Sequence, residues 1–244
     1  MSATSLADKI VLVTGASRGI GYQAALEAAR RGAHVIAVAR TVGGLEELDD
    51  EIKALGQSAT LVPLDLREFD AIDRMGHAIF ERWGRLDGLI GNAGALGLLS
   101  PVAHVEPKDF DQAMAVNVTA NYRLIRSMDL LLRQSEAGRA VFVSSSSAHS
   151  AKPFWGAYAA SKAALEALVK SYAGEIANVT KVRANLFHPG AVRTAMRAKV
   201  APGEDPASLP HPSEVAPALI DMIEPGFTEN RVIVDYPSGE TRSF

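Results

Sequence analysis

The chain has 244 residues, 48% of them hydrophobic, with 25 Lys and Arg scattered among 28 Asp and Glu for a formal net charge of -3. That is enough chain for one sizeable α/β core, and the lack of any basic stripe excludes nucleic acid as the expected partner. No cysteine is present, which excludes thiol catalysis, disulfides and thiolate metal sites and fits a reducing cytosol.

The first nine residues are polar and lead straight into an apolar run, so no secretory leader is expected. No apolar stretch approaches the roughly 20 residues that span a bilayer, and a soluble cytoplasmic protein is expected. Ile10 to Val13 reads as a buried parallel strand, and Tyr22 to Arg30, rich in alanine, as a helix packed against it. His34 to Ala39 is the next strand, Gly44 to Leu55 an acidic helix and Ala59 to Leu64 a third strand. A helix from Glu68 to Trp83, a strand from Leu86 to Ile90 and a long helix from Pro107 to Leu132 follow. The remaining pattern is a strand from Ala140 to Ser144, a helix from Trp155 to Ala177, a strand from Lys181 to Phe187 and a short closing strand from Arg231 to Asp235. Strands alternating with helices predict a doubly wound parallel sheet of about seven strands, helices on both faces and right-handed crossovers. No linker, repeat or low-complexity segment divides the chain, so residues 1–244 read as one domain with a variable loop near 195–212.

In such sheets ligands bind beyond the carboxyl ends of the strands. The unusual residues fall there: Gly15 to Gly21 after the first strand, Arg40 after the second and Asp65 after the third. Asn92-Ala93-Gly94, Ser144 to Ser147 and Pro189-Gly190 follow the next three. Each alone is explained by a cap or a turn; their joint placement on one rim is not. In Thr14-Gly15-Ala16-Ser17-Arg18-Gly19-Ile20-Gly21, the glycines let the backbone turn sharply from strand to helix. The free N–H groups and helix dipole there suit a pyrophosphate.

Tyr158 and Lys162 are four residues apart in a predicted helix, which puts both side chains on one face with Cβ atoms roughly 5–6 Å apart. A cation beside a phenol favours the phenolate and draws its pKa from about 10 toward neutrality, so that the tyrosine can give or take a proton at physiological pH.

Together these residues resemble the short-chain dehydrogenase/reductase family in its compact subtype of one Rossmann domain, over nearly the whole chain. TGASRGIG matches the TGxxxGxG cofactor turn, Asn92-Ala93-Gly94 the NAG motif, Asn117 the asparagine of the fourth helix, and Tyr158 to Lys162 the YxxxK pair. Ser145 stands thirteen positions before Tyr158, the interval usual in the family, although the serine run leaves room for a slip of one. Pro189-Gly190 with Thr194 match the segment that holds the nicotinamide carboxamide. Gly91 departs, standing where many members carry another Asn.

The resemblance implies a catalytic set of Asn117, Ser145, Tyr158 and Lys162. Tyr158 is the general acid/base, Lys162 lowers its pKa and binds the nicotinamide ribose, Ser145 orients the substrate oxygen, and Asn117 holds a water linking Lys162 to solvent. It further implies cofactor contacts from Gly15, Ser17, Arg18, Gly19, Ile20, Gly21, Arg40, Asp65, Leu66, Asn92, Ala93, Gly94, Tyr158, Lys162, Pro189, Gly190, Val192 and Thr194, and no metal. His149, His188 and Trp155 stay outside the catalytic set, since a lone histidine near a site is more often packed or solvated.

Enzymes that prefer NAD usually place an acid at the end of the second strand. Here the corner reads Ala39-Arg40-Thr41, and Arg18 can reach the same place, so NADP(H) is expected over NAD(H). Leu96, Leu98, Phe154 and Trp155 suggest an apolar pocket wall, with Lys152 the one charge aimed at it, and hence a small or medium ketone, aldehyde or secondary alcohol as substrate. A 3-oxoacyl thioester reductase is the alternative within the family; a nucleotide-sensing regulator without turnover is the alternative outside catalysis, disfavoured because Tyr158 and Lys162 are both intact. The polar carboxyl end departs from the glycine-rich stretch that helps build tetramers in relatives. A homodimer or homotetramer is still expected, with no membrane or nucleic-acid partner.

Overall fold

The computed structural model describes residues 5–150 and 152–244; the first four of the nine polar residues read above lie outside that range. Its strands are β1 (Ile10–Thr14), β2 (His34–Ala39), β3 (Ala59–Pro63), β4 (Gly88–Gly91), β5 (Arg139–Val143), β6 (Arg183–His188), β7 (Val232–Asp235) and β8 (Glu240–Ser243). They form one sheet in the order β3-β2-β1-β4-β5-β6-β7-β8. Every pairing is parallel except β7 with β8. The expected parallel α/β sheet is therefore present, with one strand more than expected. That strand was invisible to hydrophobic patterning because all four of its residues are exposed.

The helices are α1 (Gly19–Arg30), α2 (Val42–Ala54), α3 (Phe69–Trp83), α4 (Pro107–Met114), α5 (Ala120–Gln134), α6 (Ser147–Ser150), α7 (Gly156–Ile176), α8 (Ala195–Val200) and α9 (Pro212–Asp221). Two expectations need correction. The single helix read from Pro107 to Leu132 is interrupted by a π turn at Ala115–Thr119. The loop expected near 195–212 instead carries α8, capped by the Thr194 hydroxyl, and a short 3-10 turn, and it leads directly into α9. Two prolines mask α9 in the sequence. Pro212 sits in its first turn, where no N–H is needed, and Pro217 lies inside it, while His211 and Glu214 form a capping box.

The strands read as continuous apolar runs because both faces of the sheet are covered. On β1, Ile10 and Leu12 point into the cluster under α3, α5 and α7, whereas Val11 and Val13 point into the cluster under α1, α2 and α9. Burial of this kind contributes roughly 1.5–3 kcal/mol per large side chain, which sets the strand register. Arg31, with a side chain only 6% exposed, donates to Asp221 and Glu224 at 2.6 Å and so ties α1 to α9. Among the described residues no helix is long and apolar enough to cross a membrane.

The order of strands reverses between β1 and β4, and the crevice beyond their carboxyl ends is where this architecture binds ligands. Thr14 closes that point. Its hydroxyl donates to the Ile90 carbonyl and accepts from the N–H groups of Asn92 and Ala93, while the Asn92 amide donates to the Thr14 carbonyl at 2.9 Å.

Candidate active site

The glycine turn has little room for anything but glycine. Gly15 has φ +68°, and a Cβ on it would lie 2.9 Å from Asn92 Nδ2 and 3.0 Å from the Ala93 backbone. A Cβ on Gly21 would sit 2.4 Å from the Gly15 carbonyl and from Asn92 Nδ2. Two sequence-predicted corners are thus packed against each other, and Gly19 brings a third within reach, its Cβ position being 3.5 Å from the Thr194 methyl. The N-cap of α1 is Arg18, which makes no side-chain capping bond, and no acid occupies the first turn. The amino end of α1 therefore presents N–H groups and a positive dipole with no carboxylate of its own nearby in sequence.

At the end of β2, Arg40 is exposed and stands 3.8 Å from Asp65. The Asp65 carboxylate is already engaged by Arg67, whose side chain donates at 2.6 Å, and that bond holds its pKa below the usual carboxylate range. Arg18 is exposed as well. Leu66 and Val192 are buried in the two cores, so their side chains face away from the rim and only their backbones are available to a ligand.

Asn117 is fully buried at the π turn, where an extra residue in the helical ladder commonly marks a functional site. Its amide accepts from the N–H of Ala95, donates to the Ala95 carbonyl and donates to the Ser161 hydroxyl, all at 2.8 Å. It clamps the loop after β4 to the residue beside Lys162. Asn121 donates to the Asn117 carbonyl at 2.8 Å. Gly91 gains a reason from the same residue: a Cβ there would lie 2.4 Å from Phe142 and 2.6 Å from Asn121 Oδ1.

Tyr158, in the first turn of α7, is 9% exposed. Burial raises its phenol above the ordinary value, and a hydrogen bond with the Ser145 hydroxyl pulls it partly back. Among the run of serines, Ser144 turns away to Glu166, while the Ser145 hydroxyl also accepts from the Ser147 N–H. Of these serines, Ser145 is the one whose side chain lowers the phenol pKa. Lys162 is 3% exposed and donates to the Val143 carbonyl at 2.8 Å, its Nζ standing 5.8 Å from the centre of the Tyr158 ring. Burial brings its pKa down to about 8, opposed by the Glu166 carboxylate. The direction at Tyr158 differs from the expected one: burial raises it, and what opposes burial is the Ser145 hydroxyl, while the Lys162 ammonium is anchored on the Val143 carbonyl.

The residues expected to form an apolar wall lie in the loops after β4 and before α7. Leu98 and Phe154 are about half exposed, Phe154 in the left-handed region with φ +73°, and its carbonyl accepts from the Ser100 N–H. Trp155 meets the Tyr158 ring edge-on at 5.9 Å between centroids. Lys152 is exposed.

Behind Lys162 lies a group that patterning missed. Glu166, buried one turn further along α7, accepts from Ser144 Oγ at 2.7 Å and from His188 Nε2 at 2.8 Å, and its second oxygen lies 2.9 Å from His149 Nε2. The available signal was an acid four residues after Lys162 and four before Lys170, on the same helix face as both. These ligand-type atoms lie within 4.8 Å of one another, but Lys170 Nζ is 3.5 Å from the same carboxylate and opposes a second cation there.

A family model described as short chain dehydrogenase matches residues 9–205. The chain is 39% identical over 218 residues to the uncharacterized oxidoreductase YciK of Escherichia coli K12, covering 88% of this chain and 86% of that protein. It is 36% identical over 197 residues to the short-chain dehydrogenase/reductase FrzI of Cladobotryum, covering 80% and 74%. A short chain dehydrogenase from Shigella flexneri, solved complexed with NADP, superposes with a TM-score of 0.92 at 35% identity, covering 97% of this chain and 100% of that one. One from Escherichia coli, complexed with NADPH, gives 0.91 at 36% identity, covering 96% and 99%.

Proposed function

The chain belongs to the short chain dehydrogenase family and is an oxidoreductase of it, and on that premise we propose that it is an NADP(H)-dependent reductase of ketones or aldehydes, or the reverse dehydrogenase, with Tyr158 as general acid and base. The observation that carries this reading is a buried Tyr158 with the Nζ of a buried Lys162 5.8 Å from its ring centre, the Ser145 hydroxyl bearing on the same phenol.

The dinucleotide fits the residues present. The crowding at Gly15 and Gly21 leaves backbone where side chains would otherwise stand, and the uncapped amino end of α1 suits a pyrophosphate. Arg40, with Arg18, suits a 2′-phosphate. Asp65 and Asn92 to Gly94 would line the adenosine side, and Lys162, Pro189, Gly190 and Thr194 the nicotinamide side. When bound, the nicotinamide supplies or accepts the hydride.

The chain's own residues handle the proton. The neutral Tyr158 phenol is the acid that protonates the carbonyl oxygen in reduction, and its phenolate is the base that takes the hydroxyl proton in the reverse direction. Ser145 donates to the oxygen on which charge develops, and the Lys162 ammonium stabilises the phenolate left behind. Asn117 keeps the Ala95 corner and Ser161 in register with both. Leu98, Phe154 and Trp155 offer an apolar wall to the carbon side of the substrate. Exposed Phe110 on α4 and exposed Tyr122 and Leu130 on α5 support self-association through these helices.

The test is an NADPH-oxidation screen over ketones, aldehydes, quinones and 3-oxoacyl thioesters with Tyr158→Phe as control. Turnover of at least one carbonyl class that the control lacks is the expected result; equal turnover by the control refutes the mechanism. A strong preference for the thioesters would move the reading to the oxoacyl alternative.

A further inference from the structure

Three rungs of α7, at Tyr158, Lys162 and Glu166, each grip one residue at the end of β5. The Tyr158 phenol pairs with Ser145, the Lys162 ammonium donates to the Val143 carbonyl, and Glu166 accepts from the Ser144 hydroxyl. The first two rungs belong to the reaction proposed above. The third is a carboxylate with a side chain only 2% exposed. Hydrogen bonding alone does not account for it. One oxygen takes Ser144 and His188, while the other, though 2.9 Å from His149 and 3.5 Å from Lys170, has no aligned donor. A glutamine would serve Ser144 and His188 equally and place no charge in the interior, where an unpaired charge is costly. What a carboxylate adds is a negative charge one helical turn from Lys162, on the same face.

We infer that Glu166 is a positioning residue for the reaction: a buried counter-charge that keeps Lys162 in its ammonium form and locks the Val143 to Ser145 segment against α7. This rests on the function proposed above only for the use made of the ammonium; the charge relation itself does not depend on it. Along α7, Lys162 has Glu166 one turn on and Tyr158 one turn back, and its ammonium donates to the Val143 carbonyl of β5. Glu166 in turn faces His188 from β6, His149 from α6 and Lys170 one turn on, and Asp235 of β7 lies beyond His188, 3.9 Å from its Nδ1. All of these except Asp235 are donors or cations, so the cluster favours the ionised carboxylate. The pKa directions agree: hydrogen bonds from His188 and Ser144 overcome burial and bring Glu166 down to about 2, and Glu166 is the group that opposes the fall at Lys162.

The test uses the full chain labelled with 13C at lysine Cε, the Lys162 signal being identified by its loss in Lys162→Arg. In Glu166→Gln the Lys162 titration midpoint falls by about one unit, a ten-fold change in the ratio of ammonium to amine; an unchanged midpoint overturns the proposal. Should that variant not fold, the 13Cδ signal of Glu166 in the wild-type chain decides: a carboxylate at neutral pH supports the counter-charge and a protonated acid overturns it. With NADPH and phenanthrenequinone as probe, the alkaline loss of kcat moves to lower pH in Glu166→Gln by the same amount, and KM for the quinone is unchanged. A midpoint shift without any shift in the kcat profile overturns the positioning role. Failure of the function reading looks different, since there Tyr158→Phe retains turnover whatever the Lys162 midpoint does.

Discussion

Arg40→Ala separates NADPH from NADH by an amount the structure constrains. A charge-assisted hydrogen bond contributes about 1.5–3 kcal/mol. The Arg40 side chain is 60% exposed, so solvent screening places its contribution at the lower end. At about 1.4 kcal/mol per decade, that is roughly a 10- to 30-fold rise in the Kd of NADPH, with little change for NADH, which lacks the phosphate. Fold stability should be spared. Among the described residues the acid paired with Arg40 is Asp65, 3.8 Å away, and Asp65 keeps its shorter bonds to Arg67 after the substitution. Surface changes of this type move stability by about 0.5 kcal/mol or less. The assay is the quenching of protein fluorescence by each dinucleotide at two ionic strengths, beside a thermal melt. The NADPH penalty should shrink at high salt as the charges are screened. Equal weakening of both dinucleotides, or a penalty insensitive to salt, refutes the assignment of Arg40 to the 2′-phosphate.

Other consequences can be measured separately. Tyr158→Phe should lower kcat by about 10²–10⁴-fold while leaving the Kd of NADPH within about two-fold, since only the proton is lost; an unchanged kcat in steady-state assay contradicts it. Gly91→Ala places a methyl 2.4 Å from Phe142 and 2.6 Å from Asn121, and should cost about 1–3 kcal/mol in denaturant unfolding; a variant as stable as wild type would show that the β4 corner yields more easily than its packing implies. Acid unfolding should report Glu166. Its folded-state pKa of about 2 lies below the ordinary 4.5, so its ionised form adds stability that is fully present above about pH 4.5 and is lost as pH falls toward 2. The stability gap between wild type and Glu166→Gln should therefore narrow across that window, and a constant gap from pH 6 to about pH 2 would exclude a depressed carboxylate.

Residue order alone reveals the alternation of strands and helices, the sheet type and the rim that gathers the unusual residues. These are local properties: apolar runs of four to six residues bounded by glycines and turn residues, as in Ile10 to Thr14 and His34 to Ala39, signal buried strands without reference to anything distant. The TGASRGIG turn and the Tyr158/Lys162 spacing were equally legible, because backbone conformation and i, i+4 geometry are set within a few residues. Three features depended on tertiary structure. β8 pairs through its backbone while its side chains face solvent, so no hydrophobic period marks it. The π turn at Asn117 exists because that side chain must reach Ala95 and Ser161 at once, a demand made by two other segments. The charges also resisted sequence reading: spacing predicts a phenol drawn down by its lysine, whereas burial, which only the packed fold supplies, pushes it up and lets Ser145 do the opposing. Glu166, His149 and His188 come from α7, α6 and β6, and their convergence follows from how those elements pack, because electrostatic interaction depends on distance and dielectric in space and not on separation along the chain.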